Sequence, residues 1–354
     1  MIDKRIQIKK KWEIKGIDQF YFCSIGNLSR DPFEEIITLN YSEKLIIYNN
    51  NGKNILEMPF SGDVSGLFVC DLFDDGENVF VSMDMEGYIR VFSLEGKEIW
   101  KVMLHDAIIT GIVDNLWKND NLEIICILEN NEIIVLNNDG KIILTYKHSN
   151  SINSCCVSAF RDINEIEIIF NDSKDNINFL NMNGDISSLD LNIKHIRSLA
   201  KIKVFDVDLL AVVNEEKGVI LLDSEGTILN QIDFKEKVQY LASGSLFSLH
   251  CQSIVVIVDN NKLIAYDVEP LISDNFIIKS SSINEERKIK GTKNIGLRKI
   301  KAELNSEELN KIICPECGEN LPGMLRQRIL NDIDVFCEKC GTKLTKEHLM
   351  LFRA

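Results

Sequence analysis

One pattern in this sequence recurs in register six times, and a chain that does this has few folds open to it. Apolar residues that open a strand stand at Phe20, Val64, Ile108, Ile152, Ile196 and Val238, spaced 44, 44, 44, 44 and 42 residues apart. A second strand repeats through Ile36, Phe80, Ile124, Ile168, Leu210 and Ile254, and a third through Leu45, Ile89, Ile133, Ile177, Val219 and Leu263. All three lose the same two residues in the fifth unit, so they belong to one repeat. In five units a glycine follows, at Gly52, Gly96, Gly140, Gly184 and Gly226, where a strand reversal needs a residue that tolerates positive φ. A period in the low forties with about four strands per unit predicts an all-β fold, a six-bladed β-propeller with one blade per unit.

The phase of the repeat also predicts how the ring closes. Trp100 in a fourth strand maps back one period to Leu56 and another to Trp12. The N-terminal segment RIQIKKKWEI, residues 5–14, is therefore expected to supply the outer strand of the sixth blade and remove the exposed sheet edges. The segment NFIIK, Asn275 to Lys279, lies in nearly the same phase and competes for that place.

The repeat assigns residues 1–270 to the propeller. Residues 271–312 are polar and basic, with Arg287, Lys288, Lys290, Lys293, Arg298, Lys299 and Lys301, and read as a tether. Ser306 ahead of Glu307, Glu308 and Leu309 has the pattern of a helix cap. Residues 313–354 form a separate small module. No run of about 18 apolar residues is present, and the charged, strand-like N-terminus does not resemble a signal sequence; a cytoplasmic location is the expectation.

Charge separates the parts. Residues 1–270 hold 25 Lys and Arg against 42 Asp and Glu, and an acidic propeller repels phosphate backbones. Nucleic acid is not expected on it. No Gly-rich phosphate loop, Gly-x-Ser-x-Gly elbow or repeated acid pair marks an enzyme, and His105, His148, His195, His250 and His348 show no metal-ligand spacing. Cys155 and Cys156, adjacent on a strand, point to opposite faces and cannot share a metal; with Cys23, Cys70, Cys126 and Cys251 they read as strand thiols in a reducing compartment.

The turn after the first strand of the second unit, DLFDDGEN, precedes a strand ending in IRVF. Asp71, Asp74, Asp75, Gly76, Glu77 and Ile89 to Phe92 resemble the FG-GAP repeats of integrin α-type propellers, and more closely the propellers of BBSome core subunits of the Bardet–Biedl syndrome protein two type. The local likeness covers about two blades. It implies a subunit of a multiprotein trafficking or coat-like assembly, with protein partners that include a small GTPase. Those subunits carry coiled-coil, ear-like and platform domains after the propeller, where this chain has a cysteine module. Asp71, Asp75 and Glu77 have the oxygen chemistry of a Ca²⁺ loop, yet Phe73 stands where such a loop carries an acid. A solvated acidic turn is the expectation, with calcium as the alternative.

The cysteine module carries the sharpest chemical signal. Cys314-Pro-Glu-Cys317-Gly and Cys337-Glu-Lys-Cys340-Gly are two C-x-x-C-G knuckles separated by 19 residues. Four thiolates suit one tetrahedral Zn²⁺ with no open position, which predicts a structural zinc ribbon. So small a module buries too little apolar surface to fold unaided. Arg326, Arg328, Lys339, Lys343 and Lys346 would serve nucleic-acid contact, but balanced charge and only two aromatics, Phe336 and Phe352, favour docking to protein. The sequence thus points to a non-enzymatic interaction scaffold. The alternatives are a nucleic-acid-associated factor or a propeller enzyme with channel residues drawn from several blades.

Overall fold

The computed structural model describes residues 6–16, 19–28, 33–60, 62, 64–117, 121–189, 191, 193–215 and 218–270, with four two-residue strands further on. The chain divides into two compact units, Met1–Ile277 and Ile278–Ala354. The first consists of six four-stranded antiparallel sheets, and no helix occurs among the described residues. Their first strands begin at Phe20, Val64, Ile108, Ile152, Ile196 and Val238, the residues that define the period. Each first strand packs against that of the next blade, and the sixth returns to the first. Ser24 Oγ donates to Leu67 O, and Leu199 N donates to Ser154 Oγ. These offsets of 43 and 45 residues place neighbouring first strands in the same phase and direction around a channel. The expected six-bladed propeller is what the chain forms.

Second and third strands lie between adjacent blades, which explains their unbroken apolar sequences. Ile124–Leu128 and Val255–Val258 are almost wholly buried, because neighbours cover both faces of the sheet. Fourth strands face a blade on one side only and alternate, as in Glu98–Met103 and Ile142–Lys147.

The reversal between third and fourth strands recurs with one chemistry. Asn49, Asn137, Asn181 and Asp223 each accept two backbone N–H bonds, two and four residues on, through Oδ1. Each turn then reaches a glycine at φ between 76° and 85°, conformations costly for other residues. Two of these glycines also seat an indole. Trp12 and Trp100 lie against Gly52 and Gly140 of the next blade and donate from Nε1 to Asn50 O (2.8 Å) and Asn138 O (3.1 Å). A Cβ on Gly52 would sit 3.0 Å from the Trp12 ring, whereas at Gly96 it would meet nothing within 4 Å. Both Gly→Ala changes carry the left-handed backbone cost of about 1–2 kcal/mol. Urea denaturation should therefore show Gly52→Ala as the more destabilised, and equal losses would mean that the indole contact adds nothing.

The sixth blade is completed by the N-terminal strand Ile6–Lys15, antiparallel to Lys262–Pro270 from Ile6 opposite Pro270 to Lys15 opposite Lys262. The expected closure is observed. The competing segment Asn275–Lys279, the tether up to Lys311 and the cap at Ser306 lie outside the described residues.

In the second unit, Ile312–Ile313 pairs with Asn320–Leu321, and Val335–Phe336 with Lys343–Leu344. Each C-x-x-C-G knuckle falls in sequence between the two strands of one ladder.

Candidate functional site

The central channel is lined by all six first strands and encloses about 600 Å³. A bulge recurs near the start of every first strand, where the register shifts between Phe20 and Phe22, Val64 and Gly66, Ile108 and Thr110, Ile152 and Ser154, Ile196 and Ser198, and Val238 and Tyr240. Bulges re-aim side chains. The six extra residues, Tyr21, Ser65, Ile109, Asn153, Arg197 and Gln239, all line the channel. They share no chemistry, so nothing in their sequence marks them as a set. Arg197 Nε donates to Glu215 Oε1 at 2.6 Å, which engages the one cation among them.

Toward the other mouth an ion pair lies in the channel lining. Lys201 Nζ of blade five lies 2.7 Å from Asp114 Oδ2 of blade three, across the first strand of blade four. Burial would lower the Lys201 pKa, but Asp114 and Asp208 outweigh it and hold the amine above its usual range. Asp208 also accepts from Ser158 Oγ at 2.8 Å and Ala159 N at 3.0 Å. The charges here hold blades three, four and five together, and the ammonium carries no free pair for base chemistry.

The cysteines are equally unsuited to nucleophilic work. Cys23, Cys126, Cys155 and Cys156 are buried, and burial pushes their thiols up, Cys155 to about 12. Low-pKa, accessible thiolates are what reactive cysteines require. Between blades three and four, His148 Nε2 sits 3.1 Å from Asp172 Oδ2, with amides of Asn150 and Asn176 on the same carboxylate. Burial opposes ionisation of Asp172, but these hydrogen bonds prevail and bring it to about 2. The carboxylate caps its own turn through the backbone N–H groups of Lys174 and Asn176.

The Asp71 turn has the same internal logic. Asp71 Oδ1 and Oδ2 accept from the N–H groups of Asp75 (3.1 Å) and Gly76 (2.9 Å), and Asp75 Oδ1 accepts from Glu77 N at 2.9 Å. Asp71, Asp75 and Glu77 are near one another in the loop, but Asp71 engages both its oxygens, and Asp75 one, with backbone amides. Among the described residues no three His, Cys, Asp or Glu side chains converge in a way that could hold a metal ion. Cys314, Cys317, Cys337 and Cys340 lie outside the described residues.

The loops between first and second strands sequence reasoning passed over, apart from the Asp71 turn. Buried Glu35 and Glu123 anchor two of them by accepting from Leu28 N and Leu116 N, both at 2.8 Å. Further bonds tie these loops to the neighbouring blade. Asn78 Nδ2 donates to Asn27 O at 2.6 Å, Gln252 N to Lys203 O at 2.7 Å, and Ser245 N to the Glu34 carboxylate. The signal available in the sequence was an apolar residue in each such loop, obscured by loop lengths that change from blade to blade.

The geometry defines a closed six-bladed ring of the β-propeller class. Among solved structures the chain is similar to two crystal structures of BBS1N in complex with ARL6DN. One was soaked with mercury (TM-score 0.56, 12% identity, 75% of this chain and 98% of that chain covered). The other was soaked with lead (TM-score 0.56, 12% identity, 76% and 99% covered). At this identity the likeness is one of fold, and it bears out the six-bladed propeller. No protein-family model and no curated protein matches the chain.

Proposed function

We propose that the protein is a non-enzymatic interaction scaffold in a multiprotein assembly of the trafficking or coat-like kind, with a small GTPase among its partners. The observation that carries this reading is the likeness of its propeller to BBS1N, which was crystallised in complex with ARL6DN, a small GTPase. Three features agree with it: thiols held protonated by burial, a channel lysine committed to Asp114, and loops cross-linked into a preformed surface. A preformed surface loses little entropy on binding, which favours affinity.

The second unit supplies a zinc ribbon as another docking element. Cys314, Cys317, Cys337 and Cys340 would hold one structural Zn²⁺, and the two short ladders that flank the knuckles in sequence fit that donor set. A tethered second contact raises effective concentration at a shared partner. The test is fluorescence anisotropy of the full chain with labelled duplex DNA and single-stranded RNA. Weak binding at physiological salt is expected. Tight binding that falls steeply with salt would replace the scaffold by a nucleic-acid factor acting through Arg326, Arg328, Lys339, Lys343 and Lys346.

A further inference from the structure

First strands all run the same way, so the loops that follow them share one face of the propeller, around the channel mouth toward which Lys201 and Asp114 pair. Four consecutive blades each expose a large apolar side chain there: Trp117 (43% exposed), Ile163 (63%), Phe205 (49%) and Leu249 (46%). Scattered apolar residues on a surface are ordinary; one from the equivalent loop of each of four adjoining blades is a patch. Between blades five and six it is concave. Phe205, Asp206, Leu249 and His250, with Lys203 and Cys251, line a cavity of about 330 Å³, and the Phe205 and His250 rings stack at 5.9 Å. Phe205 holds a positive φ of 54°, fixed by its N–H bond to His250 O and by the bridge between Val204 and Cys251.

Among the described residues the charge of this face is mainly acidic. The described residues of the six loops include Glu34, Asp71, Asp74, Asp75, Glu77 and Asp206, and no Lys or Arg. At the adjoining strand ends Asp162 and Glu165 add to it, while Lys201 and Arg161 are engaged by Asp114 and Glu167, and Lys203 stands at the lip of the cavity. An exposed apolar crescent in an acidic surround selects a partner by charge and holds it by burial.

Resting on the scaffold reading, we infer that this face is the propeller's docking surface, and that it takes a segment of another protein with an aromatic or aliphatic anchor flanked by Lys or Arg. The anchor fills the cavity between Phe205 and Leu249, and the flanking cations face the acidic loops. The blade-to-blade hydrogen bonds keep the cavity formed before the partner arrives.

A phage-displayed library of random twelve-residue peptides, panned on the full-length protein, tests this. Enriched peptides are expected to carry Phe, Trp, Leu or Ile beside Lys or Arg. Their affinity, read by fluorescence anisotropy, should fall at least tenfold in Phe205→Asp and Leu249→Asp and also as salt rises. It should be unchanged in Ile142→Asp on the outer rim and Tyr41→Asp on the opposite face. Melting curves identify any variant that fails to fold, with Phe205→Ser as its replacement. No enrichment, enrichment of acidic peptides, or loss with Tyr41→Asp but not Phe205→Asp would overturn the inference. Co-purified partners that survive Phe205→Asp would also overturn it while leaving the scaffold reading intact.

Discussion

Deletion of residues 1–15 is expected to open the ring and leave the protein largely unfolded or aggregated. The sixth blade would keep three strands, and Lys262–Pro270 would become an exposed edge carrying Leu263, Ile264, Tyr266 and Val268, all buried in the intact ring. Such an edge is a template for pairing with other chains. The deletion also removes buried Ile6 and the packed Trp12 and Ile14. A large apolar side chain contributes about 1.5–3 kcal/mol when fully buried, so the loss approaches the about 5–15 kcal/mol that holds a domain together. The exposed pair of Lys9 with Glu269 (2.7 Å) adds about 0–1 kcal/mol, while Lys11 (3.2 Å) compensates the buried carboxylate of Asp267. Their role is to fix register, because a one-residue slip turns every side chain to the other face. Light scattering and thermal melting provide the check, and a synthetic peptide of residues 1–16 added in trans should restore a cooperative melt. A deletion variant that stays monomeric with an unchanged melting temperature would show that the ring closes by another strand.

The second large effect is expected from zinc. Purified protein should contain one zinc per chain by elemental analysis, and Cys337→Ser should contain none. Binding of a structural zinc is worth about 10–16 kcal/mol in small modules, more than such a module can gain by burial. In the variant, limited proteolysis should therefore cut within residues 313–354, while the far-ultraviolet signal of the propeller persists because the two units are separately compact. Full-length protein without zinc, yet resistant to protease in that region, would remove the ribbon from the account.

Much of the fold was legible because a propeller imposes a period, and burial on both faces makes strands such as Glu123–Leu128 read as apolar runs. Trp12 carried the closure, since its indole performs the task that Trp100 performs two blades on. The channel's bulged residues were not legible. Tyr21, Ser65, Ile109, Asn153, Arg197 and Gln239 occupy one structural position with six residue types, and a bulge leaves the period unchanged. The acidic loop of blade two was read from composition, but only the structure shows Asp71 turned inward onto its own amides. The apolar loop residues escaped for another reason. Trp117 and Leu249 sit in eight-residue connections, while Ile163 and Phe205 sit in two-residue ones, so no fixed offset relates them.

The central claim is that this protein works by holding other proteins, and the most direct measurement is native co-purification with nuclease treatment in parallel. Full-length protein would be compared with a Cys314→Ser/Cys317→Ser variant, and retained components identified by mass spectrometry. The account predicts a defined set of proteins that resists nuclease and is reduced when the ribbon cysteines are lost. Retention of nucleic acid, or of proteins that nuclease removes, would contradict it.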